Sequence, residues 1–535
     1  MTRRSAAGRA GGSPPSGGPD AGAMPTSPRS TGRFLTALFI AVLGLQLLLY
    51  RQSFGVKPSN DDFVALHQVD RGDMEGPSSF FHASNFDDYR PLMNATVWLF
   101  GRISRRHLLL SLRILHVLSF VFYASIAFLW MRSLRLGRVA AIASACVVFL
   151  HPTQAGALAG LDNFARFVVN AWVWLGAWIA SRWAGRPLLA VPLVALCFAI
   201  GLGYMEYAIA LIPLATLFTV WPRSKHRVRN GSIMLVALAT VFIVYFLIRV
   251  SGRAATTSGA GFLSLDPLLW VKNAAMILVA ELFFGNTVPV MIDRSPANLA
   301  WLASNVTAVA AALGYGLWAA RHEALPDPGG APAGSPRTDG GPGPALGLLC
   351  AAWAASFFPM VLMRHISEIY ISSVTLGLAL LAGLAARGWT TASRPLRVVL
   401  MLFAGFQLML AAQAIQSKIA GLNDGGERAE ALIQRVLERI PDDGSARRIA
   451  MVFLKRDAGA AGGSYSVFAI PDDQLILPGT GAFAIRWYRR DLDVRLDQFL
   501  VTEPSEVDGR SYDAVLLWNP STGQFRPLSP SEGRL

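Results

Sequence analysis

Apolar runs separated by short polar intervals recur along most of this chain. They fall at roughly 34–50, 108–131, 139–155, 167–183, 187–203, 207–221, 231–249, 299–320, 345–362, 370–386 and 398–416. Crossing the hydrocarbon core takes ~20 helical residues, so each of these eleven runs has spanning or near-spanning length. The pattern predicts an all-α polytopic membrane domain over 34–416. Two apolar stretches do not fit it. Pro91 to Gly101 reaches only ~16 Å as a helix, and Asn273 to Ile292 carries Glu281, Gly285 and Asn286. The second is expected to be an interfacial or re-entrant helix, which leaves outer loops at 51–107 and 250–298.

Charge orients the spans. With the N-terminus inside, the inner loops hold Arg132, Arg135 and Arg138, then Arg182 and Arg186, then Arg223, Lys225, Arg227 and Arg229, then Arg321 and Arg337, and finally Arg387, Arg394 and Arg397. The short outer loops hold only Arg166 and Arg364. This is the asymmetry of the positive-inside rule. Counting 273–292 as a further span would turn the last inner group outward. Residues 1–33, rich in Gly, Ser, Pro and Arg, are expected to be disordered on the cytoplasmic side. The run 34–50 has no small-residue cleavage site after it and reads as an uncleaved signal anchor.

After residue 416 the pattern changes. Helical spacing over 427–440 and alternating runs at 449–454, 482–488 and 512–518 predict a small α/β domain over 417–535, placed outside by the odd number of spans. Composition agrees with the membrane assignment: 53% of residues are hydrophobic, 15% are charged and mean hydropathy is +0.41. The net charge of +14 sits mostly in short loops, without a basic run interleaved with aromatics, which points away from nucleic acid. Cys146, Cys197 and Cys350 each lie inside an apolar run and suggest packing, not disulfides or a thiolate metal site.

The chemically informative residues sit at the ends of the runs, and threading brings them to one face: Asp61-Asp62, Asp87-Asp88-Tyr89-Arg90, His151, Asp162, Glu206, and Arg364, Glu368 and Tyr370. Ionisable groups beside lipid are expensive and usually functional. Structural roles compete at each. Asp61-Asp62 and Asp87-Asp88 suit helix N-termini, and Arg90 suits an ion pair with Asp87 or Asp88. His151 before Pro152 suits a helix stop, Glu206 between Tyr204 and Tyr207 suits the membrane surface, and Arg364 with Glu368 suits an exposed i,i+4 pair.

The order of these motifs resembles the GT-C-type integral membrane glycosyltransferases. It is closest to the branch of protein O-mannosyltransferases and their bacterial relatives. An Asp pair follows the first span, Asp-Tyr-Arg-Pro-Leu precedes the second, His-Pro ends the third, a Glu lies outside the fifth, and Ser-Glu-Ile-Tyr-Ile-Ser-Ser opens a late span. The resemblance covers roughly 34–416. It implies an inverting transfer of a sugar from a polyprenyl-phosphate donor to an envelope lipid, polysaccharide or protein on the outer face of a bacterial plasma membrane. Such a transfer needs a carboxylate base and cations to steady the leaving phosphate. Asp62 or Asp61 is the expected base, and Arg364, Arg90 and Arg166 the expected phosphate contacts. Asp87, Asp88, Tyr89, His151, Asp162, Glu206, Glu368 and Tyr370 are left to substrate or acceptor binding, or to structure.

This chain departs from the family at two positions, with Met205 where a Lys often precedes the Glu and Ile369 where an Arg often follows the later Glu. The spacing of Asp61, Asp62, Asp87, Asp88, Glu206 and His151 matches no compact metal motif. No obligatory metal or cofactor is therefore expected, with an auxiliary divalent cation left open. The alternative class is a polytopic transporter or lipid flippase, which would place charges within spans and repeat its halves. Here mid-span charges are few, mainly Arg113 and His116.

Overall fold

The computed structural model describes residues 47–58, 61–81, 89–134, 136–161, 163–221, 226–251, 264–287, 294–322, 342–363, 371–438, 448–454, 495–503, 506–519 and 524–528, with a few isolated positions between. The described part is mostly helical. Its helices are α1 (Asp61–Glu75), α2 (Pro91–Ile103), α3 (Leu108–Ser133), α4 (Gly137–Leu150), α5 (Thr153–Ala159), α6 (Phe164–Arg182) and α7 (Pro187–Tyr204). They continue with α8 (Leu211–Val220), α9 (Arg227–Ser251), α10 (Pro267–Leu282), α11 (Pro296–His322), α12 (Pro342–Ser356), α13 (Thr375–Trp389) and α14 (Arg394–Leu437).

Among the described residues, six helical segments are long and apolar enough to cross a membrane: 105–133, containing α3, then α6, α7, α9, α11 and α14. Shorter apolar helices lie at Gly137–Leu150, Glu206–Val220, Leu346–Val361 and Thr375–Trp389. Prolines account for much of the difference from the predicted runs. The run at 139–155 stops at Leu150 because Pro152 lacks an amide hydrogen and holds His151 extended, with ψ 128°; α5 then starts afresh. The run at 345–362 is interrupted after Ser356, and a short turn, Phe358–Val361, follows with Pro359 in it. Elsewhere proline marks starts: Pro91, Pro187 and Pro267 each occupy the first turn, where a missing amide hydrogen costs nothing.

Helix α13 runs through the centre of the bundle and packs on α3, α4, α11 and α12. Almost all its side chains are buried, from Thr375 to Gly388. Its crossing with α11 depends on glycine. A Cβ at Gly388 would lie 1.9 Å from the Gly316 carbonyl oxygen, so only two glycines permit this approach. By contrast α9 and α11 expose long apolar faces, including Val236, Phe246, Leu247, Leu299 and Trp318, as helices facing lipid would.

The compositional change at 416 is not a break in structure. Helix α14 continues without interruption from the apolar run to Leu437. Beyond it, β1 (Arg448–Leu454), β2 (Arg495–Val501), β3 (Ala514–Asn519) and β4 (Gln524–Pro527) form one sheet in the order β2-β1-β3-β4. Strand β1 pairs parallel with β2 and β3, and β4 closes the edge antiparallel to β3. Alternation sends Ile449, Met451 and Leu516 to the face that joins the main core with Ile433 and Val436 of α14. Ala450, Val452, Val515 and Leu517 face a second small core. The expected strands at 449–454 and 512–518 match β1 and β3; 482–488 lies outside the described residues except for Tyr488.

Candidate functional site

Contacts between loops gather one set of helix ends. Arg113 on α3 donates to the carbonyls of Leu158 and Val56, Lys418 on α14 to that of Pro152, and Tyr207 to that of Arg166. Arg249, in the last turn of α9, meets Glu206, which follows α7. The polar ends picked out in the sequence that are described thus lie at the same end of the bundle. Asp87, Asp88, Asp162, Arg364, Glu368 and Tyr370 lie outside the described residues.

Three polar centres occupy this end. The first surrounds the start of α1. Asp61 is the first helical residue and Asp62 the second, inside the helix rather than capping it, and Asp62 is 3% exposed. The positive end of a helix dipole favours a carboxylate at this point. The segment that precedes α1 lines a cavity of about 230 Å³ with Val56, Lys57 and Pro58, together with Arg113, Glu430 and Tyr488, among others. Lys57 pairs with Glu430 of α14, and Tyr488 packs near Phe63 of α1 with ring centroids 6.4 Å apart. The hydrogen bond to Glu430 holds the Lys57 ammonium above its usual range, while burial and then Glu430 push the Tyr488 hydroxyl up. Sequence reasoning missed Lys57, Arg113, Glu430 and Tyr488 as lining residues. Arg113 was visible only as a costly charge inside a span.

The second centre is a carboxylate between two guanidiniums. Glu206 opens a 3-10 turn, Glu206–Ala210, and its carboxylate meets Arg249 at 2.7 Å and Arg90 at 3.8 Å. Tyr245 of α9 donates to the carbonyl of Tyr89 and packs on its ring at 5.5 Å. The three charged side chains are 21–32% exposed, so each pair contributes ~1 kcal/mol or less to stability. Their arrangement matters more, because it holds two guanidiniums on either side of one carboxylate. Glu206 is thus a paired residue and not merely a surface marker, and Arg90 has a partner other than Asp87 or Asp88. Arg166 stands close by: its Nε donates to Asn163 and its carbonyl accepts from Tyr207, the neighbour of Glu206. Arg249 was overlooked because it ends a long apolar run, where an arginine reads as an interface anchor.

The third centre is buried. His151 is fully enclosed, with Nδ1 2.7 Å from Thr153 Oγ1 and Nε2 2.9 Å from the carbonyl of Glu281. Glu281, at the end of α10, is also fully buried and accepts from Thr375 at 2.8 Å. Burial raises its carboxyl pKa to about 8, against a smaller lowering by the Thr375 hydrogen bond. His151 therefore belongs to an internal network. Among the described residues, no group of three or more His, Cys, Asp or Glu could hold a metal ion.

The fold and these sites define a predominantly helical membrane protein with a small C-terminal sheet and three polar centres at one end of its bundle. No family model, no curated protein and no solved structure matches the chain.

Proposed function

We propose that this protein is an integral membrane glycosyltransferase of GT-C type, with eleven spans, acting on the outer face of a bacterial plasma membrane. It moves a sugar from a polyprenyl-phosphate donor to an envelope lipid, glycan or protein, with inversion. One observation carries the reading: a buried aspartate at a helix start and a carboxylate flanked by two arginines stand at the same end of the bundle, where Lys57 and Arg113 also line a cavity. An inverting displacement requires these two kinds of group on one side of the membrane. Asp62, or its neighbour Asp61, takes the acceptor proton. Arg90 and Arg249, held apart by Glu206, steady the leaving phosphate, with Arg166 behind them and Arg364 as a further contact. Arg249 thus supplies the basic group that Met205 does not. Glu430 and Tyr488 give the C-terminal part a share in the cavity wall, consistent with a role in acceptor access.

Mass analysis of envelope glycans and glycoproteins tests the reading in a deletion strain. A hexose-bearing species should disappear and return with the wild-type gene, but not with Asp61→Asn/Asp62→Asn. An unchanged glycan profile on deletion would remove the glycosyltransferase reading.

A further inference from the structure

Away from the polar centres, α4, α11, α13 and α14 enclose a second cavity, of about 150 Å³. Small side chains create it. Ala143 of α4, Ala312 of α11, Ala382, Ala385 and Ala386 of α13 and Ala404 of α14 all line it, and none is long enough to fill the space between the helices. Its lining follows α13 from Leu378 to Trp389, ~16 Å of helix, against a hydrocarbon core of ~30 Å. The cavity is thus a slot with the depth of one leaflet.

Among the described residues its wall is apolar apart from the Cys146 thiol, the Trp389 indole and the Gln407 amide. The last two are engaged within the protein: Trp389 donates to the carbonyl of Ala312 at 3.0 Å, and Gln407 Oε1 accepts from Asn305 at 3.2 Å. An apolar space of this size takes an apolar guest and not water. On the bilayer side it is flanked by α11 and α14, which expose Trp318, Met401, Leu402 and Phe406 as helices facing lipid would.

The two ends of the slot differ. Phe284 closes one, in a cluster with Leu282, Val309, Leu378 and Ala411. The other is marked by charge: Trp389 is the last residue of α13, Arg387 stands just before it, and α14 opens with Arg394 and Arg397, both exposed. The segment 387–397 holds these three arginines and no acidic residue. Basic pockets of this kind between transmembrane helices attract anionic head groups.

We propose that the slot holds one acyl chain of an anionic phospholipid whose phosphate lies against the arginines of 387–397. Burial of hydrocarbon seats the chain, and charge selects the head group. The polyprenyl-phosphate donor is a poor occupant, because its phosphate belongs with Arg90 and Arg249 at the opposite end of the bundle. The lipid site rests on the helices crossing a membrane and not on sugar transfer.

The test uses the full-length protein in phosphatidylcholine nanodiscs that contain a small fraction of phosphatidylglycerol with a photoreactive diazirine near the middle of one acyl chain. After illumination, peptide mass mapping should place crosslinks at 378–389 and 403–408. Excess unlabelled phosphatidylglycerol should reduce them ~10-fold, and the same addition of phosphatidylcholine should not. Arg394→Gln/Arg397→Gln, at exposed positions, should lower slot labelling several-fold and leave labelling of the exposed face of α9 unchanged. Ala382→Leu/Ala404→Leu fills the slot and should abolish its labelling; if that variant does not fold, the wild-type and arginine arms decide. Three results would each overturn the proposal: wild-type labelling no stronger in the slot than on α9, an arginine variant that labels as wild type does, or displacement by polyprenyl phosphate and not by phosphatidylglycerol. The last would make the slot part of the donor site.

Discussion

Asp62 sits buried in the first turn of α1, a few residues after Lys57 and Pro58, which line a cavity with Arg113, Glu430 and Tyr488 from distant parts of the chain. If it removes the acceptor proton, Asn at this position, or at Asp61 if that residue is the base, should reduce turnover by ~10²-fold or more while the protein still folds. Near wild-type transfer by both single variants would exclude this role. Arg249 permits a different test. Lysine there keeps the charge but loses the planar fork, so Arg249→Lys should raise the KM for donor several-fold and leave that for acceptor unchanged. Equal effects on both substrates would return Arg249 to a purely structural pairing with Glu206. At this scale the sequence exposed Asp62, Arg90, Glu206 and His151, because polar residues at the ends of apolar runs stand out. It hid Arg249, Glu430 and Tyr488, whose meaning depends on what the fold brings beside them. It left His151 between a helix stop and a ligand, and in the fold the ring is hydrogen-bonded to Thr153 and to the Glu281 carbonyl.

Glu281 shows what the sequence leaves hidden about a single element. Its charge argued against a span at 273–292, and α10 is indeed absent from the segments long and apolar enough to cross a membrane. The partner that makes the buried carboxyl tolerable, Thr375, lies far along the chain and left no local signal. Because the folded pKa of Glu281 is raised to about 8 from 4.5, the folded state holds its proton more tightly than the unfolded state does. This contribution to stability is fully present below about pH 4.5 and is lost as pH rises to about 8. The thermal midpoint of wild type should therefore fall relative to Glu281→Gln across that window and level off above it; parallel curves would show no titration there. Glycine packing offers a second test among the elements. Gly388→Ala must push α13 from α11, at a cost of ~1–3 kcal/mol, visible as a lower thermal midpoint in detergent. The apolar runs set three helix starts late, since the helices begin at Pro267, Pro296 and Pro342, and β2 and β4 were not legible at all: β2 carries Arg495 and Asp497 within it, and β4 has only four residues.

For the whole molecule, the charge pattern and the contacts among helix ends lead to one arrangement. The described arginines Arg182, Arg186, Arg229, Arg387 and Arg394 sit at helix ends opposite those that hold the polar centres, where Asn230 bonds to Ala184 and Trp389 to Ala312. Reporters fused beyond Leu437 should be active outside the cell, and reporters in the 322–344 loop inside. A cytosolic C-terminal sheet would separate the cavity from an outer-face donor. The long reach of α14 from span to sheet was invisible in the sequence, since the change in composition at 416 looks like a domain boundary. The most direct measurement is turnover by purified full-length protein in liposomes supplied with a polyprenyl-phosphate hexose and an envelope extract as acceptor. Wild type should release polyprenyl phosphate with matching transfer of the sugar, and Asp61→Asn/Asp62→Asn should not. Failure of folded wild type to release polyprenyl phosphate from any such donor, or undiminished release by the double variant, would contradict the account.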